Sequence, residues 1–252
     1  MVVIMNIVEI KELNFSYKDK ILFQNLNLNI KKDSFTTILG PNSSGKTTLA
    51  KLITSNNKHI TKYTEKISLI TTNPDSQIVG TTVKNQLIFY LKQNNIDNKI
   101  ISSKIKKIIT DFCLEKILDK DPYTLNNEQK QIIIILSSVI NKPDLLILDD
   151  ALSFLSTYYK EKMLKYLKKQ KITIINFTNN SEESIYGNKI VIINKKVVLN
   201  KPTKKALKEE KEFLNNNLKL PFVAELSLKL QYYNLLDDII INKEELVNKL
   251  WN

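Results

Sequence analysis

Phe35-Thr36-Thr37-Ile38-Leu39-Gly40-Pro41-Asn42-Ser43-Ser44-Gly45-Lys46-Thr47-Thr48-Leu49-Ala50 decides how the rest of the chain reads. A short apolar run, 35–39, has the look of a buried strand and stops at Gly40. Gly45, Lys46 and Thr47 follow five residues later, and then a helical pattern begins. This is G-x-x-x-x-G-K-[ST] in the strand–loop–helix setting that gives the motif its meaning. Gly40 and Gly45 let the backbone turn tightly, so that N–H groups of Pro41-to-Thr48 loop residues such as Asn42, Ser43 and Ser44 converge on a phosphate chain. The helix that starts there adds its positive end. In this geometry Lys46 reaches the β- and γ-phosphates, and the Thr47 hydroxyl ligates Mg²⁺. A chance match is on the order of one in a thousand shuffled sequences. The stretch predicts a nucleoside-triphosphate site.

Composition narrows the class. At 252 residues the chain fits one large domain, or one domain with an appendage, and its 42% hydrophobic content is enough for a core. The longest apolar run, 132–140, is broken by two serines and is too short to span a bilayer. The N-terminal residues lack a basic region and read as a strand rather than a signal peptide. A single cysteine, Cys113, excludes an internal disulfide framework and fits a reducing compartment. The net charge is +12, yet all 38 basic residues are Lys and none is Arg. The lysines are scattered, and Lys lacks the bidentate fork used to read guanine. No nucleic-acid partner is therefore expected; weak attraction to an anionic membrane face is as plausible a use of the charge.

Along the chain, 2–17 and 21–30 alternate polar and apolar residues as half-buried antiparallel strands do. After the loop, 47–54 continues as a helix, 66–71 is a short strand, and Asn73-Pro74-Asp75 is a turn. Helical periodicity runs from 82 to about 120, and 128–140 reads as a buried helix. Then Pro143-Asp144-Leu145-Leu146-Ile147-Leu148-Asp149-Asp150 runs apolar into acid, as a central parallel strand does when it delivers a carboxylate to the sheet edge. A helix at 157–169, a strand at 172–177 and a hairpin about Asn194-Lys195 follow. The segment 202–252 carries three modest helical patterns, the last opened by the capping arrangement Asn242-x-x-Glu245. The fold class is α/β.

By Asp149 the order of motifs resembles the ATP-binding subunit of ABC transporters. The finer resemblance is to the ATPases of energy-coupling factor (ECF) transporters, which drive uptake of vitamins and metal ions. It rests on Asn73-Pro74-Asp75-Ser76-Gln77-Ile78-Val79-Gly80-Thr81-Thr82-Val83, on Leu220-Pro221-Phe222-Val223-Ala224-Glu225-Leu226, and on Glu244-Glu245-Leu246-Val247 with Leu250-Trp251. The last two are more like the first of that family's two ATPase paralogues. The resemblance implies a P-loop NTPase cassette with a mixed central sheet, an antiparallel N-terminal β subdomain, a helical subdomain at about 82–140 within an ATP-binding domain of 1–201, and a helical extension at 202–252 for dimerisation and support. It places an adenine-stacking aromatic at Tyr17, the Mg²⁺-orienting acid at Asp149, the catalytic acid at Asp150, the switch residue at Asn179 and the signature at Leu125-Asn126-Asn127-Glu128-Gln129. It also implies ATP and Mg²⁺ as cofactors and a second ABC ATPase as dimer partner. A transmembrane coupling subunit and a substrate-binding membrane subunit would complete the complex at the cytoplasmic membrane face.

Several positions depart from the family pattern. Asp150 stands where the family has Glu, one methylene shorter, and a C–C bond is about 1.5 Å. Asn179, in Phe177-Thr178-Asn179-Asn180, replaces the switch His, and the only histidine, His59, is near the loop in sequence instead. Asn179 can still donate a neutral hydrogen bond but carries no charge. Thr72 stands for the Q-loop Gln. The signature lacks both glycines, and the four glycines of the chain lie elsewhere. In the signature, Glu128 would face an anionic phosphate, at a cost of about 1–4 kcal/mol at 4 Å. Ser156 stands where the family has Asp, in Ser153-Phe154-Leu155-Ser156. Lys84-Asn85-Gln86 replaces an acidic Glu-Asp-Asp in the groove, roughly 77–90, that docks the membrane partner. Two alternatives follow: a nucleotide-binding scaffold whose partner does the hydrolysis, and an ABC protein acting on nucleic acid or ribosomes. The second usually needs two cassettes or a coiled-coil insert, which this chain lacks.

Overall fold

The computed structural model describes residues 5–18, 20–93 and 98–251, and the side chains of all of these but 90–93 and 98–104. The first strands are β1 (Asn6–Tyr17), β2 (Lys20–Lys31) and β3 (Phe35–Leu39), followed by α1 (Lys46–Thr54). Next come β4 (Ile60–Lys62), β5 (Ile67–Ile70), α2 (Val83–Gln93), α3 (Asn98–Phe112) and α4 (Asn127–Ile140). β6 (Leu145–Asp149), α5 (Thr157–Lys168), β7 (Thr173–Thr178), β8 (Lys189–Asn194) and β9 (Lys196–Pro202) follow. The chain ends in α6 (Thr203–Ala206), α7 (Glu210–Asn215), α8 (Phe222–Tyr232) and α9 (Lys243–Trp251). They form two compact units, Met1–Glu65 with Lys168–Asn252, and Lys66–Leu167.

In the first unit β1 lies antiparallel between β2 and β4. The alternation legible in 21–30 has its cause here, since Leu26, Leu28 and Ile30 are buried while the intervening asparagines are exposed. β3 is parallel to both β7 and β8 and buried along its whole length, which is why 35–39 shows no alternation. Its register pairs Leu39 with Thr178 of β7, so both strands end at the same edge. The loop after Leu39 and the turn after Thr178 therefore leave the sheet side by side, at the edge where parallel sheets bind ligands. β8 turns back into β9 at the expected Asn194-Lys195, with Lys195 at φ 59°.

The C-terminal segment forms four helices among the described residues, where the sequence showed three patterns. The final one opens as expected, with Glu245 N–H donating to Asn242 Oδ1 at 3.1 Å. These helices complete the core of the first unit. Ala206, Leu207, Phe213, Leu218, Leu220, Ala224 and Ile239 pack in one cluster with Leu39, Ile190, Ile192 and Leu199 of the strands. Truncating a buried Phe costs about 3–5 kcal/mol, so a cut at 209 would unfold this unit and not merely remove an appendage.

In the second unit β5 and β6 are parallel, with Ile67 paired to Leu145 and Ile70 to Leu148. This register brings Thr71-Thr72 and Asp149-Asp150 out at one edge of the pair. The helical stretch 82–140 appears as α2, α3 and α4. α4 packs against α2 and α3, and every residue from Lys130 to Ile140 is buried, as its nearly unbroken apolar sequence requires. Among the described residues no helix is long and apolar enough to cross a membrane.

Candidate nucleotide site

The loop between β3 and α1 has the geometry its glycines demand. A Cβ on Gly40 would lie 2.5 Å from Ile193 O and 2.5 Å from Ser44 Oγ, so no larger residue fits. Gly45 has φ +98°, and a Cβ there would meet the Phe23 ring at 2.6 Å. Ser43 adopts φ 64°, and Ser44 N–H closes the turn on Pro41 O at 3.1 Å. Lys46 is 6% exposed, and its ammonium donates to Gly40 O at 2.8 Å and to Pro41 O at 3.1 Å. Ser44 Oγ is buried and has no hydrogen-bond partner among the described residues. Gly45 begins α1 with no side-chain cap, and the first turn carries no acid. An uncapped, acid-free helix start, a buried ammonium and an orphaned hydroxyl make one anion cradle, and that donor set fits a phosphate chain.

The other candidates in the first unit are placed by the same strands. Asn179 follows β7, is exposed, and donates from Nδ2 to Oδ1 of Asn42 in the phosphate loop at 3.0 Å. The bond is between neutral amides, so this position touches the loop but supplies no charge. Asn180 is occupied elsewhere, accepting from Glu182 N–H at 3.1 Å to cap a 3₁₀ turn. Tyr17 ends β1 opposite Lys20, is 57% exposed, and meets Phe15 edge-on at 5.0 Å. More than half of its surface is open to solvent. His59 lies with its Nδ1 3.1 Å from Lys11 O on the β subdomain, which leaves it no part in the switch position.

In the second unit Asp149 ends β6 and is 5% exposed, while Asp150 sits just beyond at φ 49°. Asp tolerates that left-handed conformation better than most residues. Thr72 is exposed. The preceding Thr71 is held by Gln77, whose Oε1 accepts from Thr71 N–H at 3.2 Å while Nε2 donates to Leu69 O at 2.8 Å. Gln86, read from the sequence as part of a docking face, is 1% exposed and accepts from Val79 and Gly80 N–H. It fixes the loop rather than meeting a partner. Lys84 is exposed, and Asp75 is ion-paired to Lys130 at 2.8 Å.

The signature segment holds the largest surprise. Leu125 is buried, and Asn126 caps α4, accepting from Gln129 N–H at 2.8 Å while Gln129 Oε1 reaches back to Asn126 N–H. Asn-x-x-Gln was legible as a capping box. Nor does Glu128 simply present its charge outward, for its Oε1 accepts from Ser156 N–H at 2.6 Å. The start of α4 is thus self-capped and acidic where the start of α1 is uncapped and acid-free. Asn127, between them, is exposed.

The ABC transporter family model matches residues 23–153, just over half of the chain. The chain belongs to the ABC transporter family. Among curated proteins it is 28% identical to the energy-coupling factor transporter ATP-binding protein EcfA1 of Staphylococcus epidermidis, covering 97% of this chain and 98% of that one. It is 27% identical to EcfA1 of Bacillus subtilis, covering 97% and 96%. Among solved structures, cbiO1 from Clostridium perfringens, described as part of the ABC transporter complex cbiONQ, aligns with TM-score 0.69 and 25% identity over 88% of this chain and 98% of that chain. An inward-facing putative metal-chelate type ABC transporter aligns at TM-score 0.69 and 18% identity, over 84% and 89%, which speaks for the fold alone. The ABC-cassette α/β fold and the ECF resemblance read from the motifs are both borne out. ATP hydrolysis is the activity of the ABC family, and the relatives give no support to a non-hydrolysing scaffold.

Proposed function

We infer that this chain is the ATP-binding subunit of an ECF-type ABC transporter, coupling ATP binding and hydrolysis to uptake of a vitamin or metal ion. The observation that carries the reading is the anion cradle at the start of α1, with Lys46 buried against its own loop. Gly40 to Thr48 hold the phosphates, Tyr17 stacks on adenine, and Thr47 and Asp149 hold Mg²⁺. That ion, when bound, neutralises phosphate charge. Asp150 orients the attacking water and Asn179 meets the γ-phosphate side of the loop. The signature, Leu125 to Gln129, serves the site built on the phosphate loop of a second ABC ATPase. The pair works at the cytoplasmic face of the membrane, on a transmembrane coupling subunit and, through it, a substrate-binding membrane subunit. Affinity isolation of the chain from detergent-solubilised membranes should bring down a second ABC ATPase and integral membrane proteins. Recovery of the chain alone, or with nucleic acid, would overturn the reading.

Two expectations attach to the surfaces. Val247, Leu250 and Trp251 lie at i, i+3 and i+4 on α9 and are 43%, 42% and 85% exposed, while Leu246 turns inward onto Val223 and Leu236. The outward stripe suits the partner ATPase. The variant Leu250→Ser/Trp251→Ser should weaken association with that partner at least tenfold and leave the melting temperature within about 2 °C. Unchanged association on a sizing column would show that the stripe is only surface. At the membrane-facing groove, Asp75 already holds Lys130 at 2.8 Å, which leaves Lys84 as the exposed charge of the first turn of α2. Lys84→Glu should change the yield of membrane subunits in the same isolation by at least threefold, and an unaltered yield would make it a solvated residue.

A further inference from the structure

The turn that follows β7 touches the phosphate loop at one end and the C-terminal segment at the other. Asn179 Nδ2 donates to Oδ1 of Asn42 at 3.0 Å. Three residues on, Glu182 Oε1 accepts from Phe222 N–H at 2.7 Å. The bond lies beside a cleft of about 500 Å³, lined by 179–182 from the turn and by 217–220, Phe222 and Glu225 from the C-terminal segment. Phe222 is the first residue of α8, and Pro221 before it offers no side-chain cap. The start of a helix leaves its first N–H groups without intrahelical acceptors and carries a partial positive charge, so a carboxylate suits it well. Glu182 supplies that carboxylate from outside the helix. α8 passes the placement on, since Val223 packs with Leu236 and with Leu246 of α9.

Between its two ends the turn is held closely. Asn180 N–H donates to Thr178 Oγ1 at 3.0 Å, while Glu182 and Glu183 N–H donate to Asn180 Oδ1 and O at 3.1 and 3.2 Å. The buried Glu183 carboxylate accepts from Asn176 Nδ2 of β7 at 2.9 Å, and Ser184 Oγ donates to Ser181 O at 2.6 Å. A stretch bonded this densely to itself and to its strand shifts as one piece, so a displacement at Asn179 reaches Glu182.

We propose that Glu182 is a positioning residue that ties the start of α8 to the turn carrying Asn179, so that nucleotide at the phosphate loop and the C-terminal helices respond to each other. The proposal rests on the reading of that loop as a nucleotide site. A γ-phosphate adds a charged acceptor beside the Asn179 amide, and the turn delivers the change to the first N–H of α8. Such coupling is reciprocal: what firms the start of α8 also firms the hold on nucleotide. The surface that α9 offers to a partner is thereby set from this chain's own phosphate loop.

The test is amide hydrogen exchange in the full chain, with and without saturating Mg-ATP, read at Phe222 and at Glu225, whose N–H closes the first turn of α8 on Pro221 O at 2.9 Å. In the wild type Mg-ATP should slow both amides by about fivefold or more. In Glu182→Ala the slowing at Glu225 should fall below about twofold, whereas Glu182→Gln, which keeps an acceptor oxygen, should retain about threefold. Asn179→Ala leaves the cap on Phe222 in place, so its exchange without nucleotide should match the wild type while the response to Mg-ATP is lost. That variant separates coupling from a merely structural cap. A wild type that binds Mg-ATP by calorimetry without slowing at α8 would overturn the proposal and leave the nucleotide site standing. So would a full response in Asn179→Ala or Glu182→Ala. A wild type that binds no Mg-ATP would overturn the nucleotide reading and this proposal with it.

Discussion

Lys46→Ala should lower the affinity for Mg-ATP by about 10²–10³-fold. The ammonium is buried and already turned onto the loop, with Gly40 O at 2.8 Å and Pro41 O at 3.1 Å. Binding exchanges those carbonyls for phosphate oxygens. A hydrogen bond to a charged group contributes about 1.5–3 kcal/mol, and at about 1.4 kcal/mol per tenfold two such bonds at the lower end of that range account for the expected factor. The substitution also removes two bonds from the protein itself. Lys46→Met, which keeps most of the buried stem, should therefore lose affinity to the same extent with a smaller drop in melting temperature. Titration calorimetry in Mg²⁺ buffer decides the matter. A loss below threefold would mean that phosphate is not held here, and absence of binding by the wild type would remove the nucleotide site altogether.

The parts of the fold that sequence makes legible are those whose cause is local. Gly40 and Gly45 announce the loop because the steric requirement is built into two residues, with Cβ contacts of 2.5 and 2.6 Å against any substitute. The apolar run 145–149 and its terminal acid announce β6 for the same reason. β4 (Ile60–Lys62) escaped notice because three residues hold no period, and only their pairing with Val8, Glu9 and Ile10 makes them a strand. In the C-terminal segment α6 and α7 are too short to show periodicity. That Phe213 and Ile239 complete a core with Ile190 and Ile192 depends on contacts between distant residues, which no local pattern carries. At the site, the same contrast separates Lys46 from Glu128. The role of Lys46 follows from its own loop, whereas the Glu128 carboxylate is defined by an N–H twenty-eight residues away.

Restoring Asp150→Glu together with Asn179→His should raise single-turnover hydrolysis by the assembled pair at least tenfold. Phosphoryl transfer depends almost wholly on positioning and charge stabilisation, and these are the functions that a longer acid at 150 and a histidine at 179 would strengthen. A misplaced base costs about 10²–10⁴-fold, so one methylene at 150 has room to act. Asn179 already touches the loop through Asn42 at 3.0 Å, and a histidine there adds a donor able to carry positive charge. The backbone sets a price on the first change. Asp150 sits at φ 49°, a conformation that costs an ordinary L-residue about 1–2 kcal/mol and that Asp bears more easily than Glu. The double variant should thus be faster and less stable, with the melting temperature falling as the rate rises. Opposite movement of the two quantities separates this account from a general improvement in folding. A rate change below threefold would show that Asp150 already reaches the water through a bridging molecule, and that neither position limits turnover.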